Sequence, residues 1–298
     1  MRFMLFTVIT INLLFASSLI TPIPTDIKLD THKVNLGKKL FFDKKLSKDS
    51  TISCAHCHDL DNGGVDSNNR LSFGVDGQLG IFNAPTVYNA IFNFRQMWDG
   101  RAKSLEEQAK LSITNPSEMG NSMEGVVRYL NTIPEYSKLF KQIYHTKINP
   151  DNILNAIAEF EKSLTTPNSP FDKYLKGDKN AITQKEKKGY DLFISRGCII
   201  CHQGVNIGGN SYNKFGIFED SIDNTLVPLS TNTRLLKVPS LRNIAMTAPY
   251  MSNGKIETLQ EAIKIMLQYQ LGIEADSLEV DYILAFLKSL NGEIHSVK

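Results

Sequence analysis

The chain has little charge imbalance, little cysteine and no long uninterrupted hydrophobic run. Among its 298 residues, 33 Lys and Arg face 31 Asp and Glu, a net charge of +2 at pH 7. A balance so close to neutral points to no nucleic-acid partner. The apolar stretch 3–20 is broken by threonine, asparagine and serine, whereas a membrane span needs about 20 mostly apolar residues. Strand-like alternation is also lacking, which predicts a mainly α fold. The length allows two domains.

Cysteine is the informative scarcity. The four cysteines all fall in two copies of one pattern, Cys54-Ala55-His56-Cys57-His58 and Cys198-Ile199-Ile200-Cys201-His202. C-x-x-C-H is the attachment pattern of c-type haem. Both thiols add across porphyrin vinyl groups, and the adjacent imidazole ligates the iron. One helical turn presents these groups to one face of a flat ring. A disulfide or thioredoxin-like pair does not need the following histidine. A zinc site built from both pairs needs tetrahedral closure and usually tighter spacing. The pattern therefore predicts two covalent haem c groups and redox chemistry, with His58 and His202 as iron ligands. His56 occupies a variable slot and reads as a bystander.

The N-terminus reads as an export signal. Arg2 precedes the apolar run 3–15, then come the small residues Ala16, Ser17 and Ser18 and the prolines Pro22 and Pro24. Residues 1–20 are assigned to the signal, with an uncleaved anchor as the alternative. A periplasmic location follows, because covalent haem attachment in bacteria takes place after export.

A loose repeat surrounds the two haem motifs. Gly37-Lys38-Lys39-Leu40-Phe41 precedes the first and Gly189-Tyr190-Asp191-Leu192-Phe193 the second. Each reads as a short amphipathic helix, the second opened by a Thr183/Glu186 capping box. Glycine pairs follow both motifs, Gly63-Gly64 and Gly208-Gly209. The repeat divides the chain into 21–166 and 167–298, two cytochrome c-like haem domains, with residues 165–170 as the hinge. Helical stripes are expected at Val126, Val127, Leu130 and Ile133; at Ile153, Ile157, Phe160 and Leu164; and at Val280, Ile283, Leu284, Leu287 and Leu290. The stretch 203–238 shows little periodicity and reads as loop. Met266 lies in a helical pattern, and periodicity alone makes it a core residue; as an axial ligand it would raise a haem's reduction potential.

Five blocks carry a specific resemblance. They are Asn83-Ala84-Pro85-Thr86-Val87-Tyr88-Asn89-Ala90; Met97-Trp98-Asp99-Gly100-Arg101-Ala102 with Leu105-Glu106-Glu107-Gln108-Ala109; Asn115-Pro116-Ser117-Glu118-Met119; Pro239-Ser240-Leu241-Arg242-Asn243-Ile244; and Thr247-Ala248-Pro249-Tyr250. In this order they resemble the bacterial di-haem cytochrome c peroxidases and the wider superfamily that includes the methylamine-utilisation (MauG-type) enzymes.

The resemblance implies two c-type haem domains packed around an interface between the haems, and reduction of hydrogen peroxide with electrons from a small cytochrome c or a cupredoxin. It assigns the peroxidatic haem to Cys54, Cys57 and His58. The electron-accepting haem falls to Cys198, Cys201 and His202, with Met266 as its second axial ligand. Glu118 matches the distal acid/base and Gln108 its companion. Trp98, the single tryptophan, matches the residue between the haems. Asn83, with the backbone carbonyls of Thr247 and Pro249, matches a calcium site, and a homodimer is implied.

The chain departs from that pattern in two places. Where the best-known members carry a histidine that caps the peroxidatic iron, this sequence has Val75, and no histidine lies between His58 and His145. The expectation is an open first haem that needs no reductive activation. Ser252 stands where many members have histidine. The MauG-type enzymes carry tyrosine at the position of Met266, and Tyr269 is three residues out of register, which favours the peroxidase over the protein-modifying oxidase. A plain di-haem electron carrier would need both irons six-coordinate, and Val75 and Glu118 argue against it.

Overall fold

The computed structural model describes residues 19–218, 235–274 and 276–294. Most of the proposed signal segment, and His295, lie outside them. The described residues are mainly helical, and none of their helices is long and apolar enough to cross a membrane.

The first half contains α1 (Thr31–Phe42), α2 (Cys54–Cys57), α3 (Leu105–Thr114), α4 (Met123–Asn131), α5 (Pro134–Tyr144) and α6 (Pro150–Ser163). The second contains α7 (Pro170–Leu175), α8 (Gln184–Ser195), α9 (Leu259–Ile265) and α10 (Ser277–Lys288). Side-chain caps start most of them, including the expected Thr183/Glu186 box on α8 and a second box, Ser169/Asp172, on α7.

The loose repeat becomes one helix crossing used twice. Gly37 of α1 lies so close to α6 that a Cβ there would sit 1.8 Å from the Ala156 carbonyl oxygen. Gly189 of α8 meets α10 in the same way, 1.9 Å from the Tyr282 oxygen. Only glycine permits such an approach. Four residues on, Phe41 packs edge-on against Phe160 with centroids 5.1 Å apart, and Phe193 meets Phe286 at the same separation. The predicted stripes follow. Val126, Leu130, Ile153, Ile157, Phe160 and Leu164 are buried, as are Val280, Ile283, Leu284, Leu287 and Leu290, while Val127 and Ile133 are half-buried. The two halves have separate apolar clusters, around Leu36, Val126 and Ile157 and around Phe193, Ile263 and Phe286.

Two features differ from the expectation. The stretch 203–238 contains an antiparallel ribbon, β1 (Tyr212–Lys214) paired with β2 (Leu235–Lys237); residues 219–234 lie outside the described part. Three-residue strands are too short for alternation to show in a sequence. The segment 165–170 is clamped rather than loose. Thr166 and Ser169 are buried, Asn89 and Asn243 bond the Thr166 hydroxyl, and Arg242 pairs with Asp172 at 2.8 Å with both side chains 0% exposed. Residues near 20 also pack on the second half: Ile20 joins its cluster and the Thr21 carbonyl accepts from Arg242.

Candidate haem sites

Both C-x-x-C-H motifs sit on a single helical turn, α2 in the first case and the 3-10 turn Cys198–Ile200 in the second. The four thiols are unpaired and half-buried. Burial pushes Cys57 and Cys198 up to about 11 and Cys54 higher still, so these sulfurs are neutral. Among the described residues no three His, Cys, Asp or Glu side chains gather as a metal cluster, so the two cysteine pairs do not build a shared zinc site. His56 is exposed, as a bystander would be.

The histidines are held alike. His58 Nδ1 lies 3.1 Å from the Gly64 carbonyl, and His202 Nδ1 lies 3.4 Å from the Ile207 carbonyl. A backbone acceptor at Nδ1 fixes the tautomer that leaves Nε2 free for a metal. Desolvation holds both rings neutral, pushing His58 down and His202 down to about 4. The glycine pairs make this possible. Gly208 has φ +123°, and a Cβ on it would lie 2.2 Å from the Pro239 oxygen and 3.3 Å from His202 Nδ1.

The second motif opens into a large cavity lined by Cys198, Cys201, His202, Met266, Trp98 and Lys237. Met266 ends α9 and begins a π-helical turn, Met266–Gln270. Such turns are frequent at functional sites because they re-aim side chains. Gln270 ties the turn to the ribbon by accepting from the Gly216 N–H and donating to the Lys214 carbonyl. Asn213 Nδ2 donates to Cys201 Sγ at 2.9 Å. Trp98 donates Nε1–H to the Asn83 carbonyl at 2.8 Å and packs in the cluster that includes Met266 and Tyr269. A tethered imidazole and a thioether line one largely apolar cavity, and these are the donor types that a haem with His/Met ligation takes.

At the first motif, the loop carrying Val75 and the loop carrying Glu118 lie against each other. Val75 is 1% exposed, and its N–H donates to the Glu118 carbonyl at 2.8 Å. A Cβ on Gly74 would strike the Ser117 oxygen at 2.1 Å. Asn115 Nδ2 donates to Glu118 Oε1 at 2.7 Å, which positions the carboxylate. That charge is close enough to raise the pKa of Cys54, Cys57 and His58, although burial dominates each of them. Gln108 donates to Ser112 Oγ at 3.0 Å, and the Ser112 carbonyl accepts from the Met119 N–H. Gln108 is therefore linked to the Glu118 loop through Ser112, not by direct contact.

Asn83 is buried and lines the large cavity with Thr247 and Pro249. Its Nδ2 donates to the Arg70 carbonyl, which leaves Oδ1 as a neutral oxygen donor. His32 and His145 are exposed.

Three groups escaped the sequence reading. Lys237 is buried inside the apolar run Leu235-Leu236-Lys237-Val238, and a lone charge in such a run was the available signal. Glu161, on the buried face of α6, has an Oε2 without a hydrogen-bond partner among the described residues, and burial raises its pKa to about 8. Arg242 lay inside a recognised block, but nothing local marked its buried partner Asp172, 70 positions earlier in the chain.

Two Cys-x-x-Cys-His motifs with tethered imidazoles, one lining a cavity together with a methionine and one close to the glutamate held by Asn115, are the features of a mainly helical di-haem c-type redox protein. The sequence pattern of di-haem cytochrome c peroxidase matches residues 31–180. Cytochrome c peroxidase Ccp of Escherichia coli is 46% identical over 92% of this chain, which spans 61% of that protein's length. Cytochrome c551 peroxidase of Nitrosomonas europaea is 43% identical, covering 93% of this chain and 85% of its own. Among solved structures, a MauG-like protein associated with microbial copper homeostasis superposes with a TM-score of 0.78 at 25% identity, covering 93% and 95% of the two chains. The chain belongs to the di-haem cytochrome c peroxidase family.

Proposed function

We propose that the protein is a periplasmic peroxidase that reduces hydrogen peroxide to water, with two electrons and two protons per peroxide. A small cytochrome c or a cupredoxin supplies the electrons. When bound, the haems supply the iron centres that accept, store and relay these electrons. His58 and His202, with Nδ1 tied to backbone carbonyls, present Nε2 to the irons, and Met266 supports the electron-accepting site. The halves 21–166 and 167–298 are read as one haem unit each, supported by the repeated Gly37/Phe160 and Gly189/Phe286 crossings.

Glu118 is the proton carrier of the reaction. It takes a proton from one peroxide oxygen and returns it to the other as the O–O bond breaks. Asn115 holds Oε1, which leaves Oε2 for the transfer. Gln108 is a positioning residue acting through Ser112. Trp98 fills the space beside Met266 and Asn83 on the path between the sites. Asn83 Oδ1 and the carbonyls of Thr247 and Pro249 are oxygen donors of the type calcium takes. A homodimer is part of the same reading.

The observation that carries the proposal is the pairing of Val75 with Glu118 beside the first haem motif. Valine has no atom able to ligate iron, so this loop would leave a haem held by Cys54, Cys57 and His58 open to peroxide in the oxidised protein. Electron paramagnetic resonance of the fully oxidised protein tests this: a high-spin ferric signal from one haem is expected, and two low-spin haems would overturn it. Peroxide-dependent oxidation of a reduced cytochrome c tests the activity. A second reading, an oxidase acting on a partner protein, draws on the same Val75 and the MauG-like structural relative. Met266 stands against it, and peroxide consumption without donor oxidation would favour it.

A further inference from the structure

Lys237 is the least accounted-for group in the large cavity. Its residue is 7% exposed, it lies on β2, and its backbone N–H donates to the Trp98 carbonyl at 2.8 Å. No hydrogen bond or ion pair engages its ammonium among the described residues, whereas the buried Arg242 is matched by Asp172 at 2.8 Å. The cavity it lines is largely apolar, with Trp98, Phe215, Leu236, Met251 and Met266 on its wall beside the polar Asn213, Lys214 and Gln270, and no carboxylate side chain lines it among the described residues. Desolvation without a compensating anion pushes the amine down to about 8. A buried ammonium with no partner is costly, and a cavity lined by one is a cavity complementary to an anion.

The cavity also contains Cys198, Cys201, His202 and Met266. A haem attached there brings two charged substituents, both propionate carboxylates, on the side of the ring away from its thioether links. We propose that Lys237 is the counter-ion of a propionate of the second haem, a site for a carboxylate built into the ribbon β1–β2. The inference rests on that haem occupying this cavity. The ribbon spans the cavity wall from Cys201, which Asn213 contacts, to Trp98, whose carbonyl accepts from the Lys237 N–H, and Lys237 must extend its side chain from there towards the propionate edge. The cation also holds the potential of the second haem up, because a positive charge nearby favours the ferrous state.

The test compares wild-type holoprotein with Lys237→Met and Lys237→Arg. Haem is first counted per chain by its pyridine adduct and by mass. Fewer than two in the wild type would overturn the haem reading itself, separately from the role of Lys237. With two haems present, Lys237→Met is expected to lower the midpoint potential of the second haem by a tenfold or greater shift in its one-electron equilibrium, about 59 mV. The same variant should shift that haem's propionate bending band in resonance Raman spectra, and Lys237→Arg should restore both readings in large part. If Lys237→Met fails to mature, Lys237→Gln, which stays polar but loses the charge, serves for the same titration with the same expectation. An unchanged propionate band, with or without a change in potential, would overturn the assignment.

Discussion

Arg242→Met removes one half of a fully buried ion pair and isolates the other. Arg242 and Asp172 are both 0% exposed and meet at 2.8 Å. The guanidinium also donates to the carbonyls of Val205 and Thr21, each at 3.0 Å, and to Ser169 Oγ at 3.3 Å. Breaking a buried pair by removing one partner costs about 3–5 kcal/mol. Asp172 keeps weak support from the N–H groups of Ser169 and Ile23, at 3.2 and 3.3 Å. The expected loss is therefore about 4 kcal/mol, or a fall in Tm of roughly 10 °C for a chain of this size. Circular dichroism melts of the holoprotein measure it.

The damage should be directional. Val205 lies two residues before Ile207, whose carbonyl orients His202, so the spectrum of the second haem should change while that of the first does not. The double variant Arg242→Met/Asp172→Leu leaves no orphan charge and should lose less than the two single variants combined. It still forfeits the α7 capping box, worth about 1 kcal/mol. A single-variant loss below about 1 kcal/mol, or strictly additive losses in the cycle, would refute the reasoning.

Glu118→Gln keeps the Asn115 contact but cannot carry a proton, and peroxide turnover should fall by about 10²–10⁴-fold with both haems still attached; steady-state kinetics with a reduced donor measures this. Met266→Leu should lower the potential of the second haem and slow donor-driven turnover, read by spectroelectrochemical titration; an unchanged potential would return Met266 to the core. Glu161 has its pKa raised from 4.5 to about 8 by burial and by the Glu106 charge. The folded protein then holds a proton that the unfolded chain releases, so the stability is full below pH 4.5 and is lost as pH rises to about 8. Wild-type stability should fall by about 1 kcal/mol per pH unit across that window, and Glu161→Gln should flatten the slope in denaturant titrations at several pH values.

What was legible in the sequence was periodic or covalent. The stripes on α4, α6 and α10 and the two C-x-x-C-H motifs recur at fixed spacing, and spacing is what a helix or a haem reads. The paired G-x-x-L-F segments were visible as similarity, but the tight crossings at Gly37 and Gly189 became clear only with Ala156 and Tyr282 in place. Arg242–Asp172 was hidden because long-range ion pairs leave no local trace. The π-turn at Met266 was hidden for another reason: its side-chain pattern is that of the α-helix it extends. The clamped segment 165–170 read as a hinge because proline and asparagine mark a turn whether it is loose or buried.

The most direct measurement is peroxide turnover by the as-isolated, fully oxidised protein with calcium present. Pre-reduced cytochrome c is added at time zero and its oxidation followed from the first second. The account predicts immediate turnover without a lag, because Val75 leaves the first haem open beside Glu118. A lag abolished by prior partial reduction would contradict that claim, and no turnover under either condition would contradict the peroxidase reading as a whole.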